Sequence, residues 1–146
     1  MRHFDFFRQR AAHHQPHPEG GWFSETWRAP AEDGERPIAT AIHFLLERGQ
    51  ASHWHKVDAA EIWLWHAGDP LELGLAESDD GPARTILLGP DVLAGQAVQH
   101  VIAPGEWQAA RPSADGEAGY TLVSCIVAPA FQFEGFVLAP PGWSPG

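Results

Sequence analysis

Proline and glycine set the first limit on what this chain can fold into. Thirteen Pro and fifteen Gly are spread through 146 residues rather than gathered in one tract. Proline stops a helix and glycine weakens element interiors, so the chain is cut into pieces too short for long helices. Such punctuation suits many short strands. The opening stretch differs: Phe4 to Ala12 predicts roughly two to three helical turns, ended by Pro16-His17-Pro18.

Downstream the hydrophobic period is two. Thr40, Ile42, Phe44 and Leu46 share one face of a predicted strand, with Ala41, His43 and Leu45 on the other. Leu71, Leu73 and Leu75 alternate with Glu72, Gly74 and Ala76, and Glu77-Ser-Asp-Asp-Gly-Pro82 turns the chain into Arg84–Leu88. Gln96–Ile102 and Tyr120–Val127 are further strands, and Phe131, Phe133 and Val137 extend the series. About eight to ten strands at this spacing predict an all-β sandwich or barrel. No repeat or second domain is visible. The expectation is a single domain over 1–146, with the helical segment at about 4–12 and the barrel at about 20–140.

Charge narrows the partners. Nine Lys and Arg against nineteen Asp and Glu leave a net charge of −10, and Lys56 is the one lysine. That balance argues against a nucleic-acid groove, which needs a basic face to release counterions, and against an anionic membrane surface. A single cysteine, Cys125, excludes an intramolecular disulfide and any multi-cysteine metal framework. Met1 to Arg10 lacks an uninterrupted apolar core, and no apolar run approaches the ~20 residues that span a bilayer. The expectation is a cytoplasmic protein.

Against the acidic background stand nine His and seven Trp. Two of the histidines, His53 and His55, are two apart, so on a strand their rings leave from one face. If the residues between His55 and Glu61 form a hairpin loop, His55 faces Glu61 and His53 faces Trp63. Two imidazoles and one carboxylate with open positions suit a divalent metal ion: Fe(II), or Mn, Ni or Zn. The alternative is a polar cluster in a barrel mouth that holds water. Trp63, Trp65 and Trp107 fall beside these residues, where they either stack on a sugar or planar substrate or simply fill the barrel. His43 is a candidate acid or base if its face lines the barrel, and Glu25 a candidate additional carboxylate. His66, on the opposite face from Glu61, is expected outside the pocket or at an interface; Cys125 is expected as a small buried hydrophobe.

His53-x-His55, then Glu61, six residues and Gly68, resembles the first motif of the cupins, small jelly-roll β-barrels. Their second motif is similar to Ala103-Pro104-Gly105-Glu106-Trp107-Gln108, with Gln108 where most metal cupins carry histidine. The likeness is closer still to the fifth cupin domain family, formerly a domain of unknown function. It is carried by His17-Pro18-Glu19-Gly20-Gly21, Glu25-Thr26, Phe44-Leu45-Leu46, Glu61-Ile62-Trp63, Ala67-Gly68-Asp69-Pro70 and Val127-Ala128-Pro129. The resemblance implies a double-stranded β-helix, a homodimer, and a metal held by His53, His55, Glu61 and Gln108, with Gln108 as weak ligand or substrate contact.

Function stays open among three readings. The first is a metal-dependent cupin acting on a small polar molecule, such as a carbohydrate derivative, by isomerisation or oxygen chemistry. The second is a metal-free binding module, and the third a structural dimer. The resemblance extends to deoxysugar epimerases, which pair a histidine base with a tyrosine acid. Tyr120, the one tyrosine, has no histidine beside it in sequence.

Overall fold

The computed structural model describes residues 15–146. The helix expected over 4–12 lies outside the described residues. The strands are β1 (Gln15–Pro16), β2 (Trp22–Arg28), β3 (Thr40–Glu47), β4 (Ser52–Val57), β5 (Ala60–Gly68), β6 (Leu71–Ala76), β7 (Arg84–Leu88), β8 (Gln99–Ile102), β9 (Trp107–Pro112), β10 (Tyr120–Ala128) and β11 (Phe136–Leu138). They form two antiparallel sheets, one in the order β1-β2-β3-β10-β5-β8 and one in the order β11-β4-β9-β6-β7. This is the all-β jelly-roll architecture expected, with more strands than alternation alone marks. Phe133 belongs to a 3-10 turn, Phe133–Gly135, rather than to a strand.

The two sheets face each other through the residues that alternation picks out. On β6, Leu71, Leu73 and Leu75 are fully buried, each contributing about 1.5–3 kcal/mol relative to exposure. The segment after them turns as expected, and β7 pairs back with Leu71 opposite Leu88 and Leu75 opposite Arg84. Phe44, Leu46, Trp63, Ile102 and Val123 complete this core.

The same inward rows continue past the core into a cavity. On β3 the row runs from Leu46 and Phe44 in the core to Ile42 and Thr40 in the cavity wall. On β10 it runs from Val123 to Cys125 and Val127, and on β5 from Trp63 to Glu61. Large apolar side chains therefore fill one end of the barrel and smaller or polar ones leave the other end hollow.

The turn between His55 and Glu61 is not a hairpin loop. β4 pairs with β9 and β11, whereas β5 pairs with β10 and β8. Residues 58 and 59 carry the chain from one sheet to the other. His55 and Glu61 consequently approach each other across the barrel interior, and His53 does not lie opposite Trp63. Among the described residues no helix is long and apolar enough to cross a membrane.

Candidate functional site

The cavity has a volume of about 300 Å³. Its walls are Phe23, Ile42, Val57, Val127 and Phe131, and its closed end is polar: His17, Glu19, His55, Glu61 and Cys125. Few convergent polar groups in a mostly apolar cleft is the usual composition of a small-molecule site.

A register shift in β4 decides which side chains reach that floor. Ser52 pairs with Ala110 and His55 with Gln108, so three residues of β4 span two of β9. Such a bulge breaks the period of two. Ser52 and His55 are both buried, and His53 between them is carried out of the cavity, where its Nε2 lies 2.9 Å from the Pro140 carbonyl. The expectation that His53 and His55 share a face is corrected by that extra residue. The bulge also leaves the His53 backbone N–H free of the ladder, and it donates to the Glu19 carbonyl at 2.7 Å. The turn 17–21 is thereby docked on β4. Gly20, at φ +112°, has no room for a side chain, because a Cβ there would run into the Ala51 carbonyl.

Docking of that turn delivers Glu19 to the floor. Its Oε2 lies 3.1 Å from His55 Nε2, and its Oε1 accepts from Ser52 Oγ at 2.9 Å. His55 Nδ1 is 2.7 Å from the His53 carbonyl. A carbonyl only accepts, so Nδ1 carries the proton and Nε2 presents its lone pair to Glu19. His17 Nδ1 accepts from the Glu19 backbone N–H at 3.2 Å, and its ring packs edge-on against Phe23 and Phe44.

Glu61 is held from the other side. Gln108 Nε2 donates to Glu61 Oε2 at 2.8 Å, while Gln108 Oε1 accepts from Trp63 Nε1 at 2.8 Å. Indole N–H is a donor only, which fixes the orientation of the amide. The Gln108 oxygen is therefore engaged by Trp63, and its NH2 is the end that faces the floor. Both Gln108 and Trp63 are fully buried.

Burial dominates the electrostatics of this cluster. It raises the Glu19 carboxyl to about 7 against the opposing pull of His17 and the Ser52 hydroxyl. It raises Glu61 to about 7 as well, against His55 and with a further push from Glu19. The same desolvation lowers both His17 and His55. With an acid pushed up and a base pushed down 3.1 Å apart, a proton shared by the pair resides on the carboxyl, which donates to a neutral imidazole. Cys125 is buried against Glu61, and burial drives its thiol well above its usual value.

The remaining sequence candidates are distributed elsewhere. His43 is exposed on the face of β3 away from Ile42 and Phe44, so it does not line the cavity. Glu25 does line it, and binds Arg28 through Nε at 3.1 Å and Nη2 at 2.7 Å. Trp63 is a core residue, Trp65 donates to the Asp69 carbonyl at 3.0 Å, and Trp107 donates to Asp79 at 2.7 Å while packing on Trp143. None of these three indoles lines the cavity, whose rings are those of Phe23, Phe131, Phe133, His17 and His55. Tyr120 is likewise not among the lining residues. Glu19 and His17 enter the sequence reading only through the family-like segment His17-Pro18-Glu19-Gly20-Gly21; nothing local to residues 17–21 signals that this turn closes on a bulge more than thirty residues away.

The four side chains expected to hold a metal are thus not brought to one point. His53 is turned out, and the Gln108 oxygen is occupied. Among the described residues no group of three or more His, Cys, Asp or Glu is arranged to hold an ion. The floor as built, with its lone pairs engaged in hydrogen bonds, does not fit a divalent cation.

A two-sheet jelly-roll barrel with a polar floor at one closed end defines a class of small-molecule-sized β-barrels. Within it the chain belongs to the cupin superfamily (DUF985), whose family model matches residues 11–139. A hypothetical protein from Leishmania major is similar at 35% identity and a TM-score of 0.82, covering 92% of this chain and 86% of that one. A protein from Shewanella oneidensis is similar at 33% identity and a TM-score of 0.82, covering 95% and 85%. Oxalate decarboxylase from Bacillus subtilis shares the fold at 11% identity and a TM-score of 0.63, over 88% of this chain and 30% of that one. No curated protein matches the chain.

Proposed function

We propose that this cupin binds a small uncharged molecule with an apolar body and one hydrogen-bonding end, and that it exchanges a proton with that end. The observation that carries the reading is the placement of Glu19 and Glu61 around His55 at the closed end of an apolar cavity of about 300 Å³. A carboxyl whose pKa lies near the working pH both gives and takes a proton, which is what general acid–base catalysis requires. Isomerisation by proton transfer is the reaction class for which such a floor is equipped.

The walls select the ligand. Beyond the floor and the Glu25–Arg28 rim the polar side chains of the lining are Gln15, Ser24 and Thr40, the last already accepting from the Phe131 N–H, and the remaining walls are phenyl and aliphatic. That favours an apolar body over a carbohydrate. Among the described residues Arg28 is the one lysine or arginine lining the cavity, and it is bound to Glu25. A sugar nucleotide, with its diphosphate, finds no free cation there.

Benzamide is a suitable probe, because its ring matches the phenyl walls and its amide both donates and accepts. Amide NMR spectra recorded during titration should show saturable shifts of Phe23, Ile42, His55 and Glu61, with a Kd of about millimolar for so small a ligand. Uridine diphosphate glucose should leave them unmoved. Shifts that map outside the cavity, or tighter binding of the nucleotide sugar, contradict the reading. So does about one divalent metal per chain in untagged protein if it is lost in His55→Ala, since that outcome restores the metal-dependent alternative.

A further inference from the structure

The outer face of the six-stranded sheet carries a histidine pair that the cavity does not use. His43 on β3 lies opposite Ser124 on β10. Between β10 and β5 the register shifts at Leu122 and Val123, which leaves His66 as the residue of β5 without a register partner. A bulge re-aims the side chain of its extra residue. Here the His66 ring comes back over β10, with Nε2 2.6 Å from Ser124 Oγ. The rings of His43 and His66 stand edge to face with centroids 6.3 Å apart.

We propose that His43 and His66 form a surface site for a divalent transition-metal ion of the zinc, nickel or copper type, closed over the small side chain of Ser124. Imidazole is a preferred ligand of these ions. Metal–nitrogen bonds of about 2.0–2.1 Å place two rings on one ion roughly 4.5–6 Å apart between centroids, so rotation of the side chains brings this pair into range with the strands unmoved. β3 and β5 flank β10 at a separation of roughly 10 Å, a span two imidazole side chains bridge only where the residue between them is small. Leu64, Leu122 and Ile126, half-buried around the pair, reduce competition from water. No third His, Cys, Asp or Glu completes a cluster among the described residues, which leaves the other coordination positions to water. The site is independent of the cavity.

Zinc chloride titrated into the full chain tests this, with calorimetry and histidine ring-proton NMR on the same samples. The wild-type His43 and His66 ring protons should shift together as zinc is added. His43→Gln and His66→Gln should each weaken one ion at least about tenfold, and the double variant should lose that ion altogether. Both positions are exposed, so circular dichroism of the variants should match wild type. Zinc held by histidines elsewhere survives in the double variant and is subtracted. The proposal is overturned if the double variant takes up zinc as wild type does, or if the two rings stay unmoved up to about 1 mM zinc.

Discussion

Gln108 occupies the position where the second cupin motif places a ligand imidazole, and its two ends are assigned different partners. Trp63 donates to its oxygen and its NH2 donates to Glu61, all within the barrel interior. The amide thus couples a core tryptophan to the cavity floor. Replacing it with alanine would strand a buried indole N–H and remove a donor from a buried carboxyl. Gln108→Ala should therefore lose about 2–4 kcal/mol in urea unfolding, far more than a surface glutamine. Glu61 itself gives a pH signature with a definite sign. Its folded pKa of about 7 lies above the ordinary 4.5, so the folded state binds more protons and this group's contribution to stability falls as pH rises between those values. The lowered His17 and His55 act oppositely, favouring the folded state as pH rises toward 6.5. Glu61→Gln removes the first effect and leaves His17 and His55 lowered by burial. Unfolding measured at about pH 5 and about pH 8 should show the variant gaining on wild type by on the order of 1–3 kcal/mol. A constant difference would mean that Glu61 titrates like a solvated carboxyl.

Alternation made the regular elements legible and concealed the irregular ones. Leu71-x-Leu73-x-Leu75 and Thr40-x-Ile42-x-Phe44-x-Leu46 each present one face to the interior, as their spacing predicts. The cavity floor and the outer-face histidine pair each depend instead on a departure from period two. One extra residue in β4 turns His53 outward while keeping His55 in, and one in β5 turns His66 over Ser124. Neither bulge has a sequence mark, because each is set by the partner strand. Plain alternation does account for Glu25 on the cavity wall, in register with Ile42, and for His43 outside it, one residue on from Ile42. The turn at 17–21 is the element on which the floor depends most. Gly20→Ala would place a Cβ against the Ala51 carbonyl at a positive φ, costing about 2 kcal/mol or more. Its thermal unfolding should fall accordingly, and benzamide binding should weaken further because Glu19 is displaced with the turn. Binding that survives intact would show that Glu19 is not part of the ligand contact.

Across the whole molecule, one barrel is divided into a filled half and a hollow half. Leu, Phe and Trp side chains close the first, and the polar layer of His55, Glu61 and Gln108 marks the boundary with the second. Membership of the cupin superfamily and its barrel were readable from ordered motifs along most of the chain. The chemistry of the floor was not, because Glu19 and His55 meet only after the turn docks on the opposite sheet. The net charge of −10 belongs largely to the surface, and two of its nominal charges, Glu19 and Glu61, are buried acids raised to about 7, Glu19 facing the His55 imidazole and Glu61 held by the Gln108 amide. Protonation of these two buried acids near neutrality is the central claim, and it separates the two readings of the floor. A bound divalent ion would hold both carboxylates ionised far below neutrality, whereas a hydrogen-bonded floor lets them take up protons. Carbon-13 NMR titration of the Glu19 and Glu61 side-chain carboxyls in untagged protein is the direct measurement. The account predicts midpoints for both at about 7; midpoints at or below the ordinary carboxylate range would contradict it.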